Sequence, residues 1–347
     1  MPVESYSIGS ANKEYTLVGR VADGILKKGE KVSVIRNDKV IAIGIAKDLQ
    51  MFNKSMDETV KGDNVGIVFD KQEGAAPGTG DVVVKYLPSH IVDTSDIVRG
   101  GERVGIYYLE TGASQRPSKV IYDRAYSSIA MAKKGDFDWD KIFDGVEWFH
   151  FTGITPALSD EVAEICMEAC KEAKKRGIAI SCDLNFRKKL WSKEKAGQVM
   201  GELCQYIDYC IANEEDAKDV FGIEAEATDI YGGKLNHEGY KSVAKQLADK
   251  FGFEKVAITL RTSISASDND WAGMLYDGEN YCFSKEYHLH IVDRVGGGDS
   301  FGGGLIYALL SGKTTQQAVE FAVAASALKH SIEGDYNRVT VAEVEKL

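Results

Sequence analysis

The most informative stretch of this sequence is Ile291-Val-Asp-Arg-Val-Gly-Gly-Gly-Asp-Ser-Phe-Gly-Gly-Gly-Leu305. An apolar strand end at Ile291 and Val292 runs into three consecutive glycines, and a helical pattern follows. Glycines at a helix start let backbone N–H groups approach an anion, and the helix dipole adds partial positive charge there. Asp299, in the first turn, would repel phosphate. It is explained by a role as general base, which takes a proton from an attacking hydroxyl beside the phosphate.

This glycine cluster does not follow the common phosphate-binding patterns. No Lys-Ser or Lys-Thr pair follows it, as in a P-loop, and its spacing is not GxGxxG. A glycine-rich turn alone can also be no more than a tight turn. The order Asp-x-x-Gly-x-Gly-Asp-x-Phe, at a junction between a strand and a helix, is much more specific.

The sequence before the cluster alternates between strand and helix patterns. The amphipathic stretch Ser159–Lys175, with Ser159 as N-cap, is followed by an apolar strand at Ile178–Leu184. Alternation of this kind predicts an α/β fold, with a mainly parallel sheet flanked by helices. The other predicted strands cover residues 104–109, 119–126, 146–153, 209–212 and 255–260, with a hairpin at 271–276 and 281–287. The other predicted helices cover residues 192–207, 240–251, 298–310 and 315–330.

The first 72 residues have a different, all-β pattern. Runs rich in Val, Ile and Thr alternate with turn signals such as Asp23-Gly24. Short strands joined by glycine turns predict a small antiparallel β-barrel. The small-residue segment Glu73-Gly-Ala-Ala-Pro-Gly-Thr-Gly80 predicts a connector. We therefore expect a barrel over residues 1–72, a connector over 73–92 and an α/β domain over 93–347.

Charge and cysteine content exclude several classes of protein. Residues 1–90 carry 12 basic and 12 acidic side chains, so the remaining 30 basic and 41 acidic side chains supply the whole net charge of −11. This charge disfavours general nucleic-acid binding. The six cysteines lack CxxC spacing and are expected to be reduced, and no apolar run is long enough to cross a membrane. No signal peptide is visible, so we expect a cytoplasmic protein.

Residues 93–347 resemble the PfkB/ribokinase family of sugar kinases, and within it the 2-keto-3-deoxygluconate kinases, over nearly their whole length. The signature at Asp293–Phe301 carries the resemblance first. The supporting stretches are Asp93-Thr-Ser-Asp-Ile-Val-Arg-Gly-Gly101, Gly112-Ala-Ser-Gln-Arg-Pro-Ser118, Thr152-Gly-Ile-Thr-Pro-Ala-Leu-Ser159, Asp183-Leu-Asn-Phe-Arg187 and Leu190-Trp191.

The resemblance implies an activity and a set of roles. It implies phosphorylation of the terminal hydroxyl of 2-keto-3-deoxygluconate or a related sugar acid, with ATP and Mg²⁺ as cofactors and a lid remnant at residues 104–126. The family's catalytic base falls on Asp299, and its anion hole falls on Gly296, Gly297 and Gly298. The implied sugar-contacting residues are Tyr107, Tyr122, Arg124, Ile154, Arg187 and Asp335. The implied nucleotide-site residues are Asn185, Asn213, Glu215, Thr259, Arg261 and Asp293.

Some of these positions depart from the family pattern or have plainer explanations. Asn213-Glu-Glu-Asp216 resembles the family's Asn-x-x-Glu, which organises Mg²⁺ and phosphate through water, but the fourth residue is Asp and Glu215 stands one place early. A solvated run of charges also explains that segment. Many relatives have glycine at the position of Arg261. The other plain explanations are a capping role for Asp293, salt bridges for Arg124 and Arg187, and core packing for Ile154.

The front of the chain resembles a different family. Gly19-Arg-Val-Ala-Asp-Gly-Ile-Leu-Lys-Lys-Gly-Glu-Lys-Val32 and Lys61-Gly-Asp-Asn-Val-Gly66 are similar to the second, β-barrel domain of elongation factor Tu-type translation factors. Members of the kinase family usually begin with a strand and a Gly-Gly-x-x-Ala-Asn segment that cradles the sugar, and residues 1–92 contain neither.

Three hypotheses follow from this combination. The first is an active sugar-acid kinase. Lid strands in this family often pair between subunits, and the sequence leaves open whether this chain forms a homo-oligomer. The second is a catalytically impaired fusion that serves as a nucleotide-binding or partner-docking scaffold. The third is RNA binding through the barrel, which the neutral charge of that segment disfavours.

Overall fold

The computed structural model describes residues 5–8, 14–20, 25–36, 39–51, 54–60, 64–74, 82–85, 96–224 and 237–347. The chain divides into two compact units, Met1–Ile97 and Val98–Leu347. Within the described residues, no helix is both long and apolar enough to cross a membrane.

The first unit consists of antiparallel strands. Seven of them form one sheet in the order β1-β2-β8-β5-β4-β9, with β6 beside β5, and β3 pairs with β7. Leu17, Val34, Leu49, Ile67 and Phe69 form its buried core. The nine strands are β1 (Ser5–Ile8), β2 (Glu14–Arg20), β3 (Ile25–Lys27), β4 (Lys31–Arg36), β5 (Lys39–Met51), β6 (Lys54–Met56), β7 (Glu58–Val60), β8 (Asn64–Gly74) and β9 (Val82–Lys85).

The strands of this unit extend past residue 72. Strand β8 continues to Gly74, and β9 pairs with β4 from within the stretch predicted as a connector. Residues Val82–Val84 form a β-branched run, which explains why this part joins the sheet. The rest of the predicted connector lies mostly outside the described residues. The domain limits 1–72, 73–92 and 93–347 stay a prediction.

The second unit has a mixed sheet. Its order is β12-β13-β14-β15-β16-β17, with β18 beside β16. The first four strands are parallel, and β16 runs antiparallel to β15, β17 and β18. The fold class predicted from the alternating pattern is confirmed. The seven strands are β12 (Trp148–Thr152), β13 (Ala179–Asp183), β14 (Tyr209–Ala212), β15 (Lys255–Ser263), β16 (Asp268–Tyr276), β17 (Tyr281–Phe283) and β18 (Tyr287–His290).

Helices cover both faces of much of this sheet. One core contains Ile180 and Cys182 of β13 with buried residues of α2, α3 and α5, and the other contains Ile211 of β14 with residues of α6 and α7. The described helices are α1 (Trp139–Ile142), α2 (Asp160–Lys175), α3 (Lys193–Leu203), α4 (Glu214–Phe221), α5 (His237–Phe251), α6 (Gly297–Leu310), α7 (Thr315–Lys329) and α8 (Val341–Val344).

A separate two-stranded ribbon precedes the sheet. Strand β10 (Ile106–Glu110) pairs antiparallel with β11 (Lys119–Asp123), and Tyr107 lies opposite Tyr122. The ribbon matches the position predicted for the lid remnant. Residues directly opposite each other in an antiparallel pair have their side chains on the same face, so Tyr107 and Tyr122 share one face of the ribbon.

Candidate active site

The predicted site residues gather where the parallel strands end. In an α/β sheet, ligands bind outside the carboxyl ends of the strands. Ile154 follows β12, Asn185 and Arg187 follow β13, and Asn213 follows β14. Helix α6 follows the glycine cluster and is held against the sheet, since a Cβ on Gly302 would contact the Ile211 side chain of β14.

The glycine loop has a conformation that only glycine fits. Gly296 is the N-cap of α6 with φ of 79°, and a Cβ there would collide with the carbonyl oxygen of Asp335. A Cβ on Gly297 would lie 2.6 Å from the His330 ring, whereas one on Gly298 would meet nothing within 4 Å. Gly298 and Asp299 lie in the first turn, whose N–H groups have no partner within the helix. Gly298 and Asp299 are exposed, whereas Gly297 is buried and donates its N–H to the Arg294 carbonyl at 3.3 Å.

Side chains at the end of α7, together with Asp293 after β18, fix this loop. The Asp293 carboxylate accepts from the Val295 and Gly334 N–H groups, at 3.0 Å each. Ser326 Oγ donates to the Gly297 carbonyl at 2.7 Å, and His330 Nδ1 lies 2.7 Å from the Ser326 carbonyl. Asp293 therefore does cap a turn, and that turn belongs to the candidate site.

The first strand of the ribbon contacts the same region. Tyr107 donates its hydroxyl to Asp335 Oδ2 at 3.0 Å. Partial burial, this hydrogen bond and the charges of Asp335, Asp293 and Asp299 raise the pKa of Tyr107 to about 12. The Asp299 side chain is exposed. Tyr107, Asp335 and Asp299 therefore lie near one another beside the glycine loop.

The second strand of the ribbon borders a cleft of about 320 Å³. The Arg124 guanidinium lies 4.5 Å from the centre of the Tyr122 ring, and Lys189 Nζ lies 5.9 Å from it. Lys189 Nζ also donates to the Val120 carbonyl at 3.4 Å. The cleft is lined by Val120, Tyr122, Arg124, Phe186, Arg187, Lys188, Lys189, Leu190, Glu215, Asp216 and Asp219.

Two carboxylates behind this cleft carry raised pKa values. Burial, and then the charges of Asp216 and Asp299, raise the pKa of Asp183 to about 7, against the opposing effect of Arg187. Burial raises the pKa of Asp216 to about 6, although its Oδ1 accepts from the Phe186 N–H at 3.1 Å. In the described part of the chain, Arg187 Nε is buried without a hydrogen-bond partner. Burial is therefore the main reason that both carboxylates favour the protonated form.

The comparisons with known proteins agree with this geometry. The sequence matches the family described as pfkB family carbohydrate kinase over residues 78–340. The chain belongs to the pfkB family of carbohydrate kinases. A second match, to elongation factor Tu domain 2, covers residues 15–84. Both resemblances found in the sequence are therefore confirmed.

Relatives of this carbohydrate kinase share its second unit. It is 31% identical to the 2-dehydro-3-deoxygalactonokinase of Haloferax volcanii over 71% of this chain and 70% of that protein. It is 51% identical to the solved 2-dehydro-3-deoxygluconokinase of Thermotoga maritima, with a TM-score of 0.70, over 76% of this chain and 78% of that one. A PfkB family carbohydrate kinase of Listeria grayi is 38% identical, with a TM-score of 0.68, over 75% of this chain and 78% of that one.

Other predicted residues of the kinase site serve local structure or lie at its margin. Asn213 Oδ1 caps α4 by accepting from the Asp216 N–H at 2.7 Å. Asn185, at φ of 39°, donates its Nδ2 to Thr152 Oγ1 at 3.0 Å, and Ile154 is half-buried beyond Thr152. Glu215 is exposed on the cleft, whereas its neighbour Asp216 is buried.

Of the residues predicted for the nucleotide site, Thr259 is half-buried on β15, and Arg261, two residues later, is exposed. Arg294, inside the signature, was not singled out from the sequence. Its NH2 group donates to the Ala266 carbonyl at 2.8 Å, and burial, followed by the charge of Arg261, lowers its pKa. The two guanidinium groups are therefore within electrostatic reach of each other.

Two buried residues at the end of α7 were also missed. Lys329 is fully buried and donates its Nζ to the Ile332 carbonyl at 3.0 Å, and burial lowers its pKa against the charges of Asp293 and Asp335. His330 is 5% exposed. The only sequence signal was the pair Lys329-His330 at the end of an apolar helix. Polar residues at helix ends are common on protein surfaces, so this pair did not stand out.

The raised pKa of Asp183 predicts how stability of the nucleotide-free kinase depends on pH. Because its pKa rises from 3.8 to about 7 on folding, the native state binds more protons than the unfolded state in that window. The free energy of unfolding therefore falls as pH rises from about 4 to about 7, by at most about 1.4 kcal/mol for each pH unit. Denaturant unfolding at several pH values measures this.

The substitution Asp183→Asn should remove much of this pH dependence, whereas Asp249→Asn on the surface of α5 should leave it unchanged. Asp249 forms only an exposed pair with Lys245. If the Asp183→Asn chain loses stability between pH 4 and pH 7 as steeply as the parent chain, Asp183 does not titrate in this window.

Proposed function

We propose that this kinase transfers the γ-phosphoryl group of ATP to the terminal hydroxyl of 2-keto-3-deoxygluconate or a related sugar acid. The observation that carries the proposal is the exposed Asp299 in the first turn of α6, directly after the exposed Gly298 of the glycine loop. The names of the Haloferax and Thermotoga relatives support a 2-dehydro-3-deoxy sugar acid as the substrate.

Asp299 acts as the general base. It accepts the proton of the attacking hydroxyl as the bond from that oxygen to phosphorus forms and the bond to the leaving ADP oxygen breaks. The N–H groups at the start of α6 stabilise the charge on the transferring phosphoryl oxygens. Gly296, Gly297 and Gly298 serve as this anion hole, since no side chain at Gly298 obstructs the approach.

The cleft beside the ribbon suits a sugar acid. Arg124, Arg187 and Lys189 supply cationic donors that can bind a carboxylate, and the Tyr122 ring supplies an apolar surface. Tyr107 and Asp335, already hydrogen-bonded to each other, supply a hydroxyl and a carboxylate oxygen for sugar hydroxyls. Ile154 contributes apolar contact behind them.

The nucleotide binds on the other side of the glycine loop in this proposal. Arg261 and Arg294 face the phosphates, Thr259 and Asp293 shape the nucleotide site, and Asn185, Asn213 and Glu215 lie towards the phosphate and its metal. No group of three or more His, Cys, Asp or Glu side chains in the described residues could hold a metal ion. Mg²⁺ usually combines one or two carboxylates with substrate phosphates, and it then neutralises phosphate charge. A cation bound there would favour the charged forms of Asp183 and Asp216, whose pKa values burial raises.

The substitution Asp299→Asn tests the base. We expect kcat for ADP release in the presence of the sugar acid to fall about 10²–10⁴-fold, because the amide cannot accept the hydroxyl proton. Binding of ATP–Mg²⁺, measured by calorimetry, should persist. Asp249→Asn is the surface control, and a turnover of Asp299→Asn equal to that of the parent chain would refute the assigned role.

The substitution Arg124→Ala tests the recognition of the carboxylate. Losing a charge-assisted hydrogen bond should raise KM for the sugar acid by about 10–100-fold, with little effect on KM for ATP. Arg116→Ala is the matched control, since Arg116 belongs to the same ribbon but pairs with Glu110 at its exposed end. Equal effects of the two substitutions would show that Arg124 does not bind the substrate.

A second candidate function is a nucleotide-binding or partner-docking scaffold with impaired catalysis. The observation that favours it is the coverage of the Haloferax relative, since these 347 residues match 70% of that protein and leave 30% of its length unmatched. Calorimetry with ATP–Mg²⁺ and with the sugar acid, performed separately, distinguishes the two functions. Binding of nucleotide without binding or phosphorylation of sugar would favour the scaffold.

A further inference from the structure

A buried lysine near the glycine loop has no role in the proposed transfer. Lys329 is the last residue of α7, and it is fully buried. Lysine side chains are almost never fully buried unless they are paired, because an isolated ammonium group is costly to remove from water. The groups that surround Lys329 therefore have to compensate for its charge.

The ammonium group of Lys329 closes the turn that follows α7. Its Nζ donates to the Ile332 carbonyl at 3.0 Å, while the Ile332 N–H donates to the Lys329 carbonyl at 3.0 Å. Side chain and main chain of the lysine thus both bind Ile332. We call residues 330–335 the α7 turn. Lys329 anchors this turn from its buried side, since the residues on either side of Ile332 are exposed, namely Ser331, Glu333, Gly334 and Asp335.

The α7 turn contacts the glycine loop on both sides of Ile332. Before it, the His330 carbonyl accepts from the Asp293 N–H at 3.2 Å. After it, the Gly334 N–H donates to the carboxylate of the same residue at 3.0 Å, and the next carbonyl stands where Gly296 would carry a Cβ. Because these contacts flank Ile332, a shift of Ile332 would displace the loop at both of them. The hydrogen bond that fixes Ile332 therefore also fixes the loop.

The position of the ammonium group suits a cation. Burial lowers the pKa of Lys329, the charges of Asp293 and Asp335 oppose this effect, and the charge of Arg338 adds to it. The last turn of a helix also carries partial negative charge on its carbonyl groups. Asp293 caps the glycine loop, and Asp335 accepts from Tyr107 of the ribbon. The carboxylates that favour the charged lysine are therefore those that join the parts of the candidate site.

We infer that Lys329 is a positioning residue of this kinase. Its ammonium group is a fixed internal cation that holds the α7 turn and, through the turn, keeps the glycine loop in the conformation that stabilises the transferring phosphoryl group. Lys329 touches neither substrate in the proposed transfer, so it acts through the loop. The inference rests on the proposed function, in which the loop is the anion site. The alternative is that the long side chain only fills space in the core.

The substitution Lys329→Met separates charge from packing, because methionine is also long and unbranched but has no charge and no N–H donor. Hydrogen exchange at the Gly334 amide should become about tenfold faster or more, since the turn that presents this amide to Asp293 loses its anchor. We expect kcat for phosphorylation of the sugar acid to fall about 10–100-fold. KM for ATP should change less, because the loop acts on the phosphoryl group in the transition state.

The control with the same chemical change is Lys245→Met, since Lys245 is exposed on α5 and pairs with Asp249. It should change neither the exchange rate nor kcat. If Lys329→Met keeps the exchange rate and the kcat of the parent chain, the side chain only fills space and the inference is overturned. Faster exchange with an unchanged kcat would also overturn it, because the turn would then not position the loop.

The substitution Lys329→Ala tests the cation directly. It leaves space beside the Ile332 carbonyl that an ammonium ion from solution can fill. Ammonium chloride should raise kcat of this variant about tenfold, at an ionic strength kept constant with tetramethylammonium chloride, whose cation is too large to enter. Met200→Ala is the matched control, since Met200 is also fully buried but lies on α3. No recovery in Lys329→Ala, or equal recovery in Met200→Ala, would overturn the inference. Thermal unfolding checks that each variant folds.

Exchange at Gly334 needs no substrate, so the two proposals can fail separately. If Lys329→Met exchanges faster while the parent chain phosphorylates no sugar acid, Lys329 does hold the turn and the proposed function fails. If the parent chain phosphorylates the sugar acid while Lys329→Met keeps its kcat and its exchange rate, the inference fails and the proposed function stands. Faster exchange with a lower kcat, together with recovery of Lys329→Ala by ammonium, supports both.

Discussion

The candidate site depends on the close contact between the start of α6 and the turn that follows α7. Gly296 has room for no side chain beside the Asp335 carbonyl, and Gly297 has none beside the His330 ring. Asp293 then joins the loop to Gly334 through its second oxygen. The first turn of α6 is therefore held by its neighbours on both sides. Gly298 and Asp299 of this turn are exposed, and the surrounding contacts fix the conformation of the turn before any ligand binds.

Burial perturbs the charged groups around that turn. It raises the pKa values of the Asp183 and Asp216 carboxylates. It also lowers the pKa of the Arg294 guanidinium, to which the charge of Arg261 adds. In the proposed function, a cation would favour the ionised carboxylates and a nucleotide phosphate would favour the charged guanidinium. The proposed complex of nucleotide and metal would supply both charges.

The sequence patterns predicted the features that depend on local chain, and they failed where distant parts meet. The glycine cluster, the helix cap at Ser159 and the ribbon at residues 104–126 follow from neighbouring residues, whereas α4 and its cap at Asn213 were not predicted. The burial of Lys329 and His330 does not, because it results from the return of the chain to Asp293 and Gly297. Likewise, only the direction of α4 distinguishes exposed Glu215 from buried Asp216. Strand β9 was missed because its pairing partner, β4, lies about 50 residues earlier.

The glycine loop is held by contacts from two parts of the second unit. Ser326 and His330 fix it from the α7 side. Tyr107 of the ribbon donates its hydroxyl to Asp335, whose carbonyl oxygen lies where a Cβ on Gly296 would collide. The ribbon is therefore joined through one residue to the turn that shapes the start of α6. Because of this contact, a displacement of the ribbon would also act on the loop, so the proposed sugar side and the proposed phosphate side of the site are coupled.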